Sequence, residues 1–157
     1  MRGSRVSYLV ILFFSLLFFS SDFLLKKYLL ANFIFNKPYP LIGDIVLLRL
    51  VYNRGAAFGI LKGNTLFLIF IGLVFVIFFI IWIFKADFSL KEKIFLAMIL
   101  GGALSNLYDR VFLGAVVDYI DLGFWPVFNL SDTFITLGCI FFIFRHLRIN
   151  RWRKENL

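Results

Sequence analysis

The residues able to do chemistry in this chain are carboxylates. One histidine, His146, and one cysteine, Cys139, are present among 157 residues, so an internal disulfide and a cysteine-rich metal site are excluded by count. Nucleophilic catalysis of the Ser-His or Cys-His kind needs its base within hydrogen-bond reach, and a single histidine leaves little room for it. Six of the nine acids, Asp22, Asp44, Asp109, Asp118, Asp121 and Asp132, are spread through the chain between apolar runs. Two carboxylates held close in a partly dry site cannot both ionise comfortably. One pKa rises, leaving an acid beside a base, and such a pair activates water for attack on an amide. A carboxylate-bound divalent ion would need ligands at fixed spacing, and none is apparent. Residues Gly55 to Gly59 lack the Lys and Ser/Thr of a phosphate-binding loop.

The elements that must position these acids are membrane spans. The chain is 62% apolar, 20% aromatic and 17% charged, with 23 phenylalanines; soluble domains average about 45–50% apolar and about 25% charged. A polar surface cannot cover such a composition, so the chain reads as a single integral membrane domain. A span takes about 20 apolar residues. Four are expected, at about 6–25, 65–84, 94–111 and 124–144. The first is longer than a signal-peptide core, lacks an Ala-x-Ala cleavage pattern and carries Asp22 and Lys26, so it reads as a retained helix. Between the first two spans, Pro38, Pro40 and Gly43 break helical structure and a mixed aliphatic run follows. This predicts a small β element at about 38–60 on the outer membrane surface.

Orientation follows from the basic residues. Ten of the 17 Lys and Arg lie in the N-terminal tail (Arg2, Arg5), the loop between helices 2 and 3 (Lys85, Lys91, Lys93) and the C-terminal tail (Arg145, Arg148, Arg151, Arg153, Lys154). Both termini are therefore expected in the cytoplasm. The net charge of +8 reads as a topology signal with contact to anionic headgroups, and no nucleic-acid partner is expected. At about 1.5 Å per helical residue, Asp22 lies about 25 Å above Arg5, Asp109 about 24 Å above Lys93, and Asp132 about 20 Å from Arg145. All three reach one outward level. Asp118 and Asp121, on the loop joining helices 3 and 4, belong to the same level. His146, at the cytoplasmic end, is a membrane thickness away, and Cys139 reads as a buried small hydrophobe.

Spacing sorts the acids. Asp22 and Lys26, at i and i+4, form a structural ion pair on one helix face. Gly102, Asn106 and Asp109 share a face of helix 3 suited to close helix approach and polar bonding, with Arg110 neutralising Asp109 or holding a loop carbonyl. Asp132 reads equally as an N-cap or a catalytic acid, and Asp121 as a solvated loop acid. Acids within a span usually mark function. A small proton-coupled transporter or channel subunit also uses such acids, but it would need polar groups through the full depth or paired repeats with broken helices, and helix 2 has no charge.

Five ordered motifs cover nearly the whole chain: Asp22-x-x-x-Lys26, Val51-Tyr52-Asn53-Arg54-Gly55-Ala56-Ala57-Phe58-Gly59, Gly101-Gly102-Ala103-Leu104-Ser105-Asn106-Leu107-Tyr108-Asp109-Arg110, Val116-Val117-Asp118-Tyr119-Ile120-Asp121 and Phe128-Asn129-Leu130-Ser131-Asp132. In these the chain resembles the lipoprotein signal peptidases (signal peptidase II, prolipoprotein signal peptidase), bacterial membrane aspartic proteases. The resemblance implies an all-α membrane protein of four transmembrane helices with a small extracytoplasmic β-cradle between helices 1 and 2. It implies a catalytic dyad of Asp118 and Asp132, preferring Asp118 to Asp121. Polar support falls to Asp22, Lys26, Asn53, Asn106, Asp109, Arg110 and Asn129, and Arg54 beside Asn53 is placed to hold peptide backbone. No metal or cofactor is implied. The implied substrate is a prolipoprotein whose cysteine carries diacylglycerol, cut just before that cysteine in the bacterial inner membrane by a monomer, with globomycin expected to bind at the dyad. Two departures are visible: Ser131 stands where the family usually has Ala, and only 13 residues separate the two aspartates.

Overall fold

The structure, a computed structural model, describes residues 2–55, 63–85 and 88–156. The expectations placed on Gly59, on residues 56–60 of the β element and on the side chains of Arg2, Arg5, His146 and the tail from Arg148 lie outside what is described. The elements run α1 (Arg2–Asn32), β1 (Tyr39–Ile42), β2 (Val46–Asn53), α2 (Thr65–Lys85), α3 (Leu90–Leu113), β3 (Val116–Asp121) and α4 (Leu130–Asn156). Among the described residues three helices are long and apolar enough to cross a membrane: Tyr8–Asn32, Thr65–Ile83 and Leu90–Leu113.

Element boundaries differ from the sequence reading in ways that matter for the acids. α1 continues to Asn32 instead of ending near 25, because Lys26 is paired rather than solvated and Leu29 beyond it packs beneath the sheet. α4 starts at Leu130 rather than 124. The preceding turn is committed to the sheet: Tyr119 N and Ile120 N both donate to Phe128 O, and Phe128 N donates to Ile120 O. The β element is also larger than two strands. Its sheet has the antiparallel order β1-β2-β3, and the third strand comes from between α3 and α4, where a loop was expected.

α3 lies at the centre, packed against α1, α4 and α2. Its start is set by a capping box, in which the Ser89 side chain accepts from Glu92 N and the Glu92 carboxylate accepts from Ser89 N. Gly114, at φ +71°, ends it in the left-handed conformation that glycine adopts without strain. Two adjacent glycines set the helix spacing, one facing each neighbour. A Cβ on Gly101 would stand 2.6 Å from Ser15 O of α1, and one on Gly102 would stand 2.6 Å from Ser131 O of α4. Gly138 repeats the arrangement from α4, where a Cβ would meet Phe95 O of α3 at 2.7 Å. Small residues at such contacts let backbones approach where lipid provides no hydrophobic drive for helix association.

Gly102→Ala must push α4 away, because the obstructing atom is backbone; overpacking of this kind costs about 1–3 kcal/mol. The melting temperature in detergent is expected to fall by several degrees. Gly72→Ala, whose Cβ would meet only the mobile end of Leu107 at 3.1 Å, should leave it unchanged or slightly higher. Equal behaviour of the two variants would show that the α3–α4 contact is looser than the geometry requires.

Candidate active site

The site begins with one buried cation. Lys26 is 2% exposed, and its Nζ lies 2.7 Å from Asp22 Oδ2, 2.8 Å from Asp109 Oδ2 and 3.2 Å from Asn106 Oδ1. An ammonium has three hydrogens, and three acceptors surround this one. α1 is thereby joined to α3 at two points. Asp22, itself fully buried, also accepts from Ser105 Oγ and Ser131 Oγ, each at 2.6 Å, and from Tyr119 Oη at 2.9 Å. Asp109 accepts from Val117 N at 3.1 Å, which fixes the entry of β3 against the end of α3.

β3 carries Asp118 in its middle and is buried along most of its length. It pairs with β2 so that Val51 lies opposite Asp118 and Asn53 opposite Val116, with a one-residue bulge in β2 between Leu48 and Val51. Side chains alternate across a strand, so a slip of one residue would turn Asn53 to the other face. With the bulge, Asn53 and Asp118 share a face, and Asn53 Nδ2 donates to Asp118 Oδ2 at 3.0 Å. Asn53 Oδ1 in turn accepts from Gly55 N.

Asn129 links the two candidate acids. Its Nδ2 donates to Asp118 Oδ1 at 2.7 Å and to Asn106 Oδ1 at 3.0 Å, while its Oδ1 accepts from Asp132 N at 2.8 Å. Thr133 N donates to Asn129 O. Asn129 is therefore the N-cap of α4, and Asp132 is the third helical residue, reaching back to accept from Asn129 N at 3.2 Å. This corrects the reading of Asp132 as the cap. Its other oxygen, Oδ1, accepts from Asn106 Nδ2 at 2.8 Å.

Asp118, Asp132, Asn53, Asn106 and Arg110 all line one cleft of about 260 Å³, whose remaining wall includes Trp125, Phe128 and Ile135. Asp118 is 1% exposed. Burial, with the neighbouring Asp132 second, pushes its pKa up to about 7, against the opposing pull of its amide donors and Lys26. Burial and the adjacent Asp22 likewise push the Tyr119 phenol up, so Tyr119 stays a neutral donor. Among the described residues no group of three His, Cys, Asp or Glu stands in a metal-holding arrangement.

The other expected residues divide. Arg110 leaves Asp109 to Lys26 and reaches Gly55 O at 3.3 Å and Asn106 O at 3.4 Å. Arg54 is exposed, and its carbonyl accepts from Gly63 N; its side chain is not brought into the cleft wall. Asp121 is not solvated: it is buried, 2.8 Å from Arg49 Nε across the sheet, and its Oδ1 accepts from Gly123 N. Sequence spacing looked for its partner three or four residues away, whereas strand pairing supplied one 72 positions upstream. Spacing gives no signal for Tyr119 or Ser105, whose hydroxyls both bond Asp22. Tyr119 stands between two aspartates in a strand, and only the fold aims its hydroxyl at α1.

Residues 14–148 match the family model described as signal peptidase (SPase) II. A lipoprotein signal peptidase from Caldicellulosiruptor bescii is 41% identical over 124 residues, which cover 79% of this chain and 82% of that protein. One from Caldanaerobacter subterraneus subsp. tengcongensis is 48% identical over 116 residues, covering 73% and 80%. A solved structure described as a bacterial membrane enzyme aligns with a TM-score of 0.79 at 28% identity, covering 92% of this chain and 88% of that one. A second so described gives 0.75 at 29% identity, with 91% and 93% covered.

The raised pKa of Asp118 makes a stability prediction. Its folded value, about 7, lies above its unfolded value, 3.8, so between these the folded state holds more protons and stability falls as pH rises. Asp118→Asn removes that dependence. The melting temperature of the variant relative to the unaltered protein should therefore climb from about pH 4 to about pH 7 and level off above; a constant difference would show that Asp118 ionises normally.

Proposed function

The chain belongs to the signal peptidase II family, and from that premise we propose that it is an aspartic endopeptidase that removes the signal peptide from diacylglyceryl-modified prolipoproteins, cutting just before the lipidated cysteine. The observation that carries the proposal is the meeting of Asp118 and Asp132 in one cleft, each held by asparagine amides and neither joined to a neutralising cation within hydrogen-bond distance among the described residues. Lys26 is taken by Asp22, Asp109 and Asn106, and Arg110, which lines the cleft, bonds Gly55 O and Asn106 O. The acids are gathered at one place instead of strung through the bundle, which suits hydrolysis and not conduction.

In the proposed reaction the pair shares one proton and one water. The ionised carboxylate takes a proton from the water as its oxygen attacks the scissile carbonyl carbon, and the protonated one donates to the carbonyl oxygen. The tetrahedral intermediate then collapses: the carbon–nitrogen bond breaks, the leaving amine takes a proton from one carboxyl, and a diol hydroxyl returns its proton to the other. An acid and a new N-terminus are released, with the pair again singly protonated. No covalent enzyme intermediate forms. A pKa of about 7 for Asp118 supports a singly protonated pair near neutrality, and the two titrate as a unit. Asn53, Asn106 and Arg110 line the approach and carry donors for the peptide backbone, Arg110 Nε having no hydrogen-bond partner among the described residues. Asp22, Lys26, Asp109 and Asn129 hold the frame, and Arg54, exposed beside Asn53, meets peptide further out.

α4 completes four spans, with both termini in the cytoplasm of the bacterial inner membrane and the cleft at the extracytoplasmic face. The diacylglycerol chains of the substrate stay in lipid and position the peptide, supplying part of the orientation that catalysis requires. The enzyme acts as a monomer, and globomycin occupies the cleft in place of substrate.

Asp118→Asn and Asp132→Asn should each reduce cleavage of a purified diacylated prolipoprotein, read by gel shift, to background while the protein still inserts. Retained turnover in either would reject the dyad. The unaltered enzyme should lose activity as pH rises through about 7, because the shared proton departs; a rate that keeps rising to pH 9 would contradict the mechanism. EDTA should leave cleavage intact.

A further inference from the structure

Each member of the dyad has an immediate chain neighbour bonded to the same distant carboxylate. Tyr119 follows Asp118 and donates to Asp22 Oδ1 at 2.9 Å; Ser131 precedes Asp132 and donates to Asp22 Oδ2 at 2.6 Å. Tyr119 Oη also accepts from Leu130 N at 2.9 Å, so one hydroxyl joins β3, α1 and the first turn of α4. All three groups are buried: Asp22 and Ser131 are 0% exposed and Tyr119 is 4% exposed. Asp22 is held in place from its own side by Lys26 and from α3 by Ser105.

Resting on the dyad reading above, we infer that Tyr119 and Ser131 are positioning residues, which use the Asp22 carboxylate as a common post to set the separation of Asp118 and Asp132. Strand and helix meet here with no covalent tie closer than the 13 residues between the aspartates, so the distance between the acids depends on what their neighbours hold. Val117 and Ser131 are fixed to α3 as well, through Asp109 and through the close approach at Gly102. Those contacts place backbone. The two hydroxyl bonds add direction, since each is buried and made to a charged acceptor, the stronger class of hydrogen bond. Neither residue is part of the cleft wall, so their removal should slow the chemical step without weakening binding.

Tyr119→Phe and Ser131→Ala, alone and together, are compared with Ser89→Ala, which breaks the capping box at the far end of α3. On a diacylated prolipoprotein each single variant should lower kcat about tenfold, the scale on which sub-ångström misplacement acts, with KM within about twofold. The double variant should lose less than the product of the single losses, because freeing one acid already spoils the pair. Ser89→Ala should lose melting temperature but keep kcat. Unchanged kcat in both single variants, a loss confined to KM, or a kcat loss that Ser89→Ala matches at equal melting temperature would overturn the inference. Hydrogen exchange separates it from the function itself. Tyr119→Phe should speed exchange of amides in a peptide spanning residues 129–133, and unchanged exchange there overturns the positioning role even if the unaltered protein cleaves no prolipoprotein.

Discussion

A lysine ammonium buried between helices is the constraint around which the molecule is arranged. Removing a charge from water in a bilayer is tolerable only when its hydrogens are all accepted and its charge is balanced. Lys26 meets both conditions with Asp22, Asp109 and Asn106. The acceptors come from two helices, so satisfying the cation fixes how α1 and α3 register along their lengths. Asp22 then needs donors for its remaining lone pairs and takes them from α3, β3 and α4. The network is costly to leave half made, and it therefore specifies one arrangement of the elements.

With Lys26 taken by Asp22 and Asp109, the other two acids are held by neutral amides, and Arg110 shares their cleft while donating to Gly55 O and Asn106 O. Asn53, Asn106 and Asn129 donate to Asp118 and Asp132. An amide orients a carboxylate without neutralising it, which leaves the raised pKa of Asp118 governed by burial and by Asp132. Asn129 does this while capping α4, one side-chain atom for each task. An aspartate could cap as well but could not donate. The sheet contributes through its bulge, without which Asn53 would face away from Asp118.

Much of this was legible in the residue order. The i, i+4 spacing of Asp22 and Lys26 predicts the pair that is found, and the Gly102-Asn106-Asp109 face contacts α4 through its glycine and the Lys26 network through its polar groups. Depth along three helices brings Asp22, Asp109 and Asp132 to one level. Such inferences succeed because a helix has a fixed rise and period, so distance along the chain is distance in space. They failed where partners come from different elements. The strand character of residues 116–121, the burial of Asp121 against Arg49 and the cap at Asn129 all depend on pairing between segments far apart in sequence.

Composition and periodicity by themselves determined that this chain carries membrane-spanning helices and at what level its acids gather. Only the tertiary structure decided which cation neutralises which acid, that β3 closes the sheet, and that Tyr119 and Ser131 meet on Asp22. The physical reason is reach. Local geometry repeats along one element, whereas a hydrogen bond extends about 3 Å and is made only after packing has brought separate elements together.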